Sequence, residues 1–285
     1  KDMAGWRNLS IRKRIELEGN YRGYQVATAG LNLYALHLNE ALDLRSSGPA
    51  RTNPESLFRQ CRIMEEVFLS SPRYSTETHR QFVSPDYARQ RADEVLNGPQ
   101  RKLTFDAIFN TCFLVVRDQD GNVAWGTHSI NTPTAFGAGI MGDCVYAARG
   151  TQFEQVSGAV GRASGVSTSV ALFQDGKPRM IAGSPGFGFV HGPWQYCSGV
   201  IEWGLSPTEA MNQPRFGLPR PQDSHLYVES HYDDKIFEML KERKTPFFKG
   251  RPSPFTGLVG ALTIDANQAL HVVQDGRVDG YALAD

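Results

Sequence analysis

No run of about eighteen apolar residues occurs in this 285-residue chain, so no segment is long and apolar enough to cross a membrane as a helix. An excess of charge is missing as well. Thirty basic residues meet thirty acidic ones, which gives neither a nucleic-acid groove nor an anionic membrane surface anything to attract. The four cysteines, Cys61, Cys112, Cys144 and Cys197, have no CxxC spacing, which excludes a zinc knuckle and a dense disulfide framework. They are expected as buried free thiols, and unpaired cysteines lean towards a cytoplasmic setting. The seven histidines form no HExxH or HxH pair, so neither a metal site nor any other cofactor is expected. Internal repeats, low-complexity tracts and heptads are also lacking. The chain opens KDMAGW, with neither an initiator Met nor a signal-peptide pattern, and is expected to be a fragment, a processed product or a trimmed chain.

What is present is glycine-rich and reads as many short elements. Residues 1–110 look mainly helical and accessory, apart from a short strand within 21–26. Asn53-Pro54-Glu55 opens a helix, because Pro suits the first turn and Glu suits its positive end. Leu57, Cys61, Met64, Val67 and Phe68 then recur at helical spacing and mark one buried face. Ser84-Pro85-Asp86 opens another helix, which Asn97-Gly98-Pro99 ends. Beyond residue 111 the texture turns to strands. Residues 170–173 and 180–182 flank Asp175-Gly176, a hairpin signal. A helix is expected over 193–203, and Ser206-Pro207-Thr208-Glu209 is a capping box opening a short one. Residues 233–243 form an amphipathic helix, and strands close the chain at 260–264 and 269–273. This order fits a layered α+β domain in which helices cover a pair of sheets.

The stretch NTCFLVVRDQDGNVAWGTHSIN, residues 110–131, organises the rest. Apolar and β-branched residues 113–116 and 123–130 flank a turn at Asp120-Gly121, which predicts a hairpin. Thr111 and Cys112, two side chains able to act as nucleophiles, stand at its head.

From that hairpin onward the ordered motifs resemble the gamma-glutamyltranspeptidase family of N-terminal-nucleophile hydrolases. TCFLVVRDQDGN is similar to the start of the family's small subunit. SINTPTAFGAG, AGSPGFG, GLSPTEAMNQPRF and DGRVDGYA follow in the family's order, while KDMAGW and NYRGYQV resemble the late large subunit. The resemblance implies a four-layer αββα sandwich, with residues 1–110 the end of a large subunit and residues 111–285 a small subunit. It also implies self-cleavage between Asn110 and Thr111 into a heterodimer of the two. The freed α-amine of Thr111 then serves as base for its own hydroxyl. Cys112 is the rival nucleophile, exposed by a cut one residue later.

By the same resemblance Ser129 positions the new amine and Asn131 is an active-site asparagine. Alternation along a strand puts both on one face. Gly186 matches the first oxyanion-hole glycine, and Phe187 replaces the second, keeping a backbone N–H but adding bulk. The acyl pocket departs from the family. Gln152 stands where an Asp holds the substrate amine, and Ser164-Gly165 replaces a Ser-Ser pair that binds a carboxylate. An ammonium group loses its ion pair at such a pocket. The expected function is therefore a threonine hydrolase or acyltransferase that works through an acyl-enzyme on a small amide-type substrate other than a standard gamma-glutamyl compound. Two alternatives stay open. One is carbon–carbon bond cleavage in pyrroline-antibiotic biosynthesis, in which atypical family members are implicated. The other is an uncut, inactive relative that serves as a binding protein.

Overall fold

In the computed structural model the described residues are 19–28, 30–70, 73, 77–99, 112–128, 140–141, 144–145, 169–185, 188, 191–217, 225–253, 256–277 and 280–283. The first elements are strands β1 (Gly19–Tyr21) and β2 (Tyr24–Thr28), an antiparallel pair in which Tyr21 faces Tyr24. Arg22 and Gly23 turn the chain with φ of 50° and 86°, the positive values a tight two-residue hairpin requires. Helix α1 (Gly30–Ala41) follows, and Leu31, Leu33, Tyr34, Leu36 and Leu38 are completely buried on it. Its polar residues Asn32, His37 and Asn39 are buried too, so this helix is enclosed on all sides.

Short α2 (Leu44–Ser47) leads to α3 (Pro54–Ser70). Asn53 caps α3, its side-chain oxygen accepting from the Glu55 N–H at 2.9 Å, which satisfies a backbone donor that the helix cannot. Next come α4 (His79–Phe82) and α5 (Pro85–Asn97). Tyr34, Phe82 and Tyr87 pack α1, α4 and α5 together, with ring centroids 5.4–5.5 Å apart.

Beyond residue 111 the chain forms β3 (Cys112–Arg117), β4 (Val123–His128), β5 (Ile140–Met141), β6 (Cys144–Val145), β7 (Ser169–Gln174) and β8 (Lys177–Gly183). Helices α6 (His191–Ile201) and α7 (Pro207–Met211) follow, then β9 (Phe216–Gly217) and β10 (Leu226–Glu229). The last elements are α8 (Asp234–Glu242), β11 (Phe247–Gly250), β12 (Gly260–Ile264) and β13 (Leu270–Gln274). Asp175 and Gly176 make the β7–β8 turn at φ of 51° and 70°. Both halves of the capping box between Ser206 and Glu209 are formed.

The main sheet is antiparallel and has six strands in the order β1-β2-β7-β8-β12-β13. Its two faces follow from alternation. Val170, Leu172, Met180, Ala182 and Ala261 join the core shared with the helices. There Tyr196 on α6 hydrogen-bonds Thr263 at 2.9 Å. Ala171, Ile181 and Leu262 are buried on the other face, the one that meets the β3–β4 hairpin. Helices, sheet and hairpin therefore stack as successive layers. Since β2 pairs with β7, residues before 111 supply part of the central sheet. The accessory role expected for that segment is corrected here.

Candidate active site

The hairpin is built from its turn outward. The Asp118 carboxylate accepts from the backbone and side-chain N–H of Asn122, both at 2.8 Å, and Asn122 holds it below the usual carboxylate range. The closure thus spans Asp118 to Asn122, wider than the expected Asp120-Gly121 turn, with Gly121 at φ 85°. Along β3, Phe113 and Val115 turn inward while Cys112, Leu114 and Val116 are exposed.

Phe113 fixes where the head of the hairpin sits. Its ring lies so close over Gly183 that an added Cβ there would stand 2.1 Å from ring atoms, and one at Gly260 would stand 3.2 Å away. Only glycines let the ring settle onto the sheet backbone this way. Trp125 of β4 packs on Phe173 with centroids 6.3 Å apart. The start of β3 is therefore pinned beside the exit of β8.

Just past that exit, Ser184 is fully buried. Its hydroxyl accepts from the Leu258 N–H and donates to the Pro185 carbonyl, each at 3.1 Å. The strap of residues 256–259 that supplies Leu258 also touches Gly188. A Cβ on Gly188 would stand 1.9 Å from the Gly257 Cα, and Gly257 itself has φ 105°.

A buried ionic cluster anchors this strap. Arg215 donates to the Gly257 carbonyl at 2.9 Å and pairs with Asp275. The Asp275 carboxylate in turn accepts from the Val259 N–H at 3.2 Å and from Arg277 at 3.0 Å. Glu229 receives Arg277 and the Thr256 hydroxyl, both at 2.6 Å, and the Arg215 N–H at 3.0 Å. Burial alone would push both carboxyls up. For Asp275 the charges of Arg215 and Arg277 outweigh it, and for Glu229 the Arg277 contacts do, so both stay below the ordinary range. Buried charges of either sign here are paired, as burial demands.

His191 opens α6, stacks on Phe216 with centroids 6.4 Å apart, and is completely buried. Burial lowers its pKa to about 3, with the Arg215 charge adding to the effect. The imidazole is therefore neutral across the physiological range.

The expected site residues Asn110, Thr111, Ser129, Asn131, Gln152, Ser164, Gly165, Gly186 and Phe187 lie outside the described residues. Their described neighbours do converge, since Phe113, which follows Cys112, meets Gly183, which precedes Ser184 and Pro185. Cys112 is exposed and free, while Cys61 and Cys197 are the buried thiols that composition suggests. Among the described residues no His, Cys, Asp or Glu cluster could hold a metal ion. The sequence alone assigns no roles to Arg215, Asp275 and Arg277, although they sit inside the PRF and DGR segments. Glu229 carried no signal, because its partners are distant in sequence.

The family model for gamma-glutamyltranspeptidase matches residues 2–285. The chain belongs to that family. As a gamma-glutamyltranspeptidase-family chain it shares its fold with cephalosporin acylase from Bacillus halodurans, at TM-score 0.67 and 22% identity over 93% of this chain and 52% of the acylase chain. LmbA2991T421A matches at TM-score 0.65 and 18% identity, over 93% of this chain and 55% of the other. The gamma-glutamyltranspeptidase from Pseudomonas nitroreducens complexed with L-DON matches at TM-score 0.48 and 16% identity, over 61% of this chain and 98% of that one. This family member thus spans about half the length of the acylase and of LmbA2991T421A. No curated protein matches it. The α+β class expected from the motifs is the fold this chain shares with the acylase and with LmbA2991T421A.

Proposed function

We propose that the protein is a self-processing threonine hydrolase or acyltransferase whose nucleophile is Thr111. The observation that carries this reading is the seating of Phe113 over Gly183, which sets the head of β3 beside the Gly-Ser-Pro loop. Strand register adds support. Cys112 faces His128, and these two are the sequence neighbours of Thr111 and of Ser129, the residue expected to position the new amine. Cleavage after Asn110 frees that amine. It takes the Thr111 hydroxyl proton as the oxygen attacks the substrate carbonyl, then passes it to the departing amine. The acyl-enzyme is released by water or by a second amine. Backbone N–H groups at Gly186 and Phe187 receive the oxyanion, and such donors contribute about 3–4 kcal/mol each to barrier lowering. Asn131 completes the site.

Gln152, Ser164 and Gly165 shape the substrate choice. A neutral amide at 152 offers no counter-ion for an α-ammonium group. The favoured acyl group is therefore one without the glutamyl amine, and glutaryl p-nitroanilide should turn over faster than γ-glutamyl p-nitroanilide. Equal rates, or preference for the γ-glutamyl compound, would refute the altered pocket. In this reading the working protein is a heterodimer of large- and small-subunit pieces. A second reading, carbon–carbon bond cleavage on a natural-product precursor, draws on the same Gln152 and on the bulk of Phe187. Turnover of neither anilide by an enzyme with a free Thr111 amine would favour it.

A further inference from the structure

We propose that Ser184 is a positioning residue for the oxyanion hole, an inference that rests on the reading above. The Ser184 hydroxyl works in both directions, since it takes the Leu258 N–H and gives its own proton to the Pro185 carbonyl. A trans peptide points its N–H opposite to its C=O. Whatever holds the Pro185 carbonyl therefore also aims the next amide, which belongs to Gly186, the first of the proposed oxyanion donors. The other end of the tether is rigid. Leu258 lies between Gly257, whose carbonyl binds Arg215, and Val259, whose N–H binds Asp275. Gly257 in turn abuts Gly188 on the far side of the same loop. Arg215 and Asp275 thus hold a fixed strap, and Ser184 transmits that fixed position to the amide. Catalysis by such a donor depends on its being aimed before charge develops. A loosened amide should slow acylation while leaving ground-state binding alone.

The test uses Ser184→Ala in the full chain, with glutaryl and γ-glutamyl p-nitroanilide as probes. Three readouts are taken: the processed fraction on a denaturing gel, thermal unfolding, and separate kcat and KM values. Complete loss of an oxyanion donor costs about 100-fold or more in kcat. A donor that is misdirected but still present should cost about 10-fold, with KM within about twofold of wild type. An unchanged kcat in processed Ser184→Ala, or an effect confined to KM, overturns the proposal. Should the alanine variant not fold or not process, Ser184→Cys decides, because a thiol keeps a weaker donor and acceptor at the same place. Processing with an intermediate kcat supports the role, and wild-type kcat or no processing refutes it. The underlying reading is judged separately on the wild-type enzyme, by whether Thr111 carries the acyl group.

Discussion

Burial gives His191 a signature that can be read without any substrate. Its folded-state pKa of about 3 lies below the ordinary 6.5. Between those values the unfolded chain binds a proton at this residue and the folded chain does not. Stability contributed at this position therefore rises with pH from about 3 to about 6.5 and is level above. His191→Leu should flatten that part of the stability–pH curve in urea melts, and an unchanged slope would count against a neutral buried imidazole. Thr111 and Cys112 are separated by a second residue-scale test. Cys112 is exposed and unpaired, so Cys112→Ser should leave scission and acyl labelling intact, whereas Thr111→Ala should abolish both. The reverse pattern would move the nucleophile by one residue.

At the scale of elements, the hairpin depends on glycine at its seat. Gly183→Val would drive a branched side chain into the Phe113 ring, and overpacking of this kind costs about 1–3 kcal/mol. Activity should fall further than stability does, because the head of β3 is displaced from the Gly-Ser-Pro loop; parallel urea melts and anilide kinetics measure both. Ser206→Ala, which removes an exposed cap that touches none of the strap or cluster residues, should cost about 1 kcal/mol with kcat unchanged. Local chemistry explains which elements the sequence announces. Asp175-Gly176, Ser206 to Glu209 and Asn53-Pro54 each set a boundary through neighbouring residues alone. The helix Gly30–Ala41 escapes notice because it is buried on every side and shows no polar face to complete the period. The site divides in the same way. Ordered motifs point to Thr111 and its loop, but Arg215 and Asp275 lie sixty residues apart. Only folding brings their charges together.

At the scale of the molecule, the proposed cut falls between segments that share one sheet and one buried cluster. The β2–β7 ladder spans it. So does Glu202, fully buried and bound by the Tyr21 hydroxyl, by Arg22 at 3.0 Å and by Arg45 at 3.3 Å. Asn39 extends the cluster to Ser198 at 3.0 Å and to Trp194 at 2.9 Å. The two pieces should co-elute in native size exclusion while separating on a denaturing gel. Glu202→Ala leaves the buried Tyr21 hydroxyl without its acceptor, a change that costs about 1–3 kcal/mol, and it should weaken co-elution or prevent folding. Pieces that part readily in the wild type would contradict the shared core. The central claim, that this chain cuts itself to make a threonine N-terminus, meets its most direct test in mass identification of the new N-terminus in purified protein. The account predicts a small piece beginning at Thr111, absent from Thr111→Ala. A single uncut chain in fully incubated wild-type protein, or a piece beginning at Cys112, would contradict it.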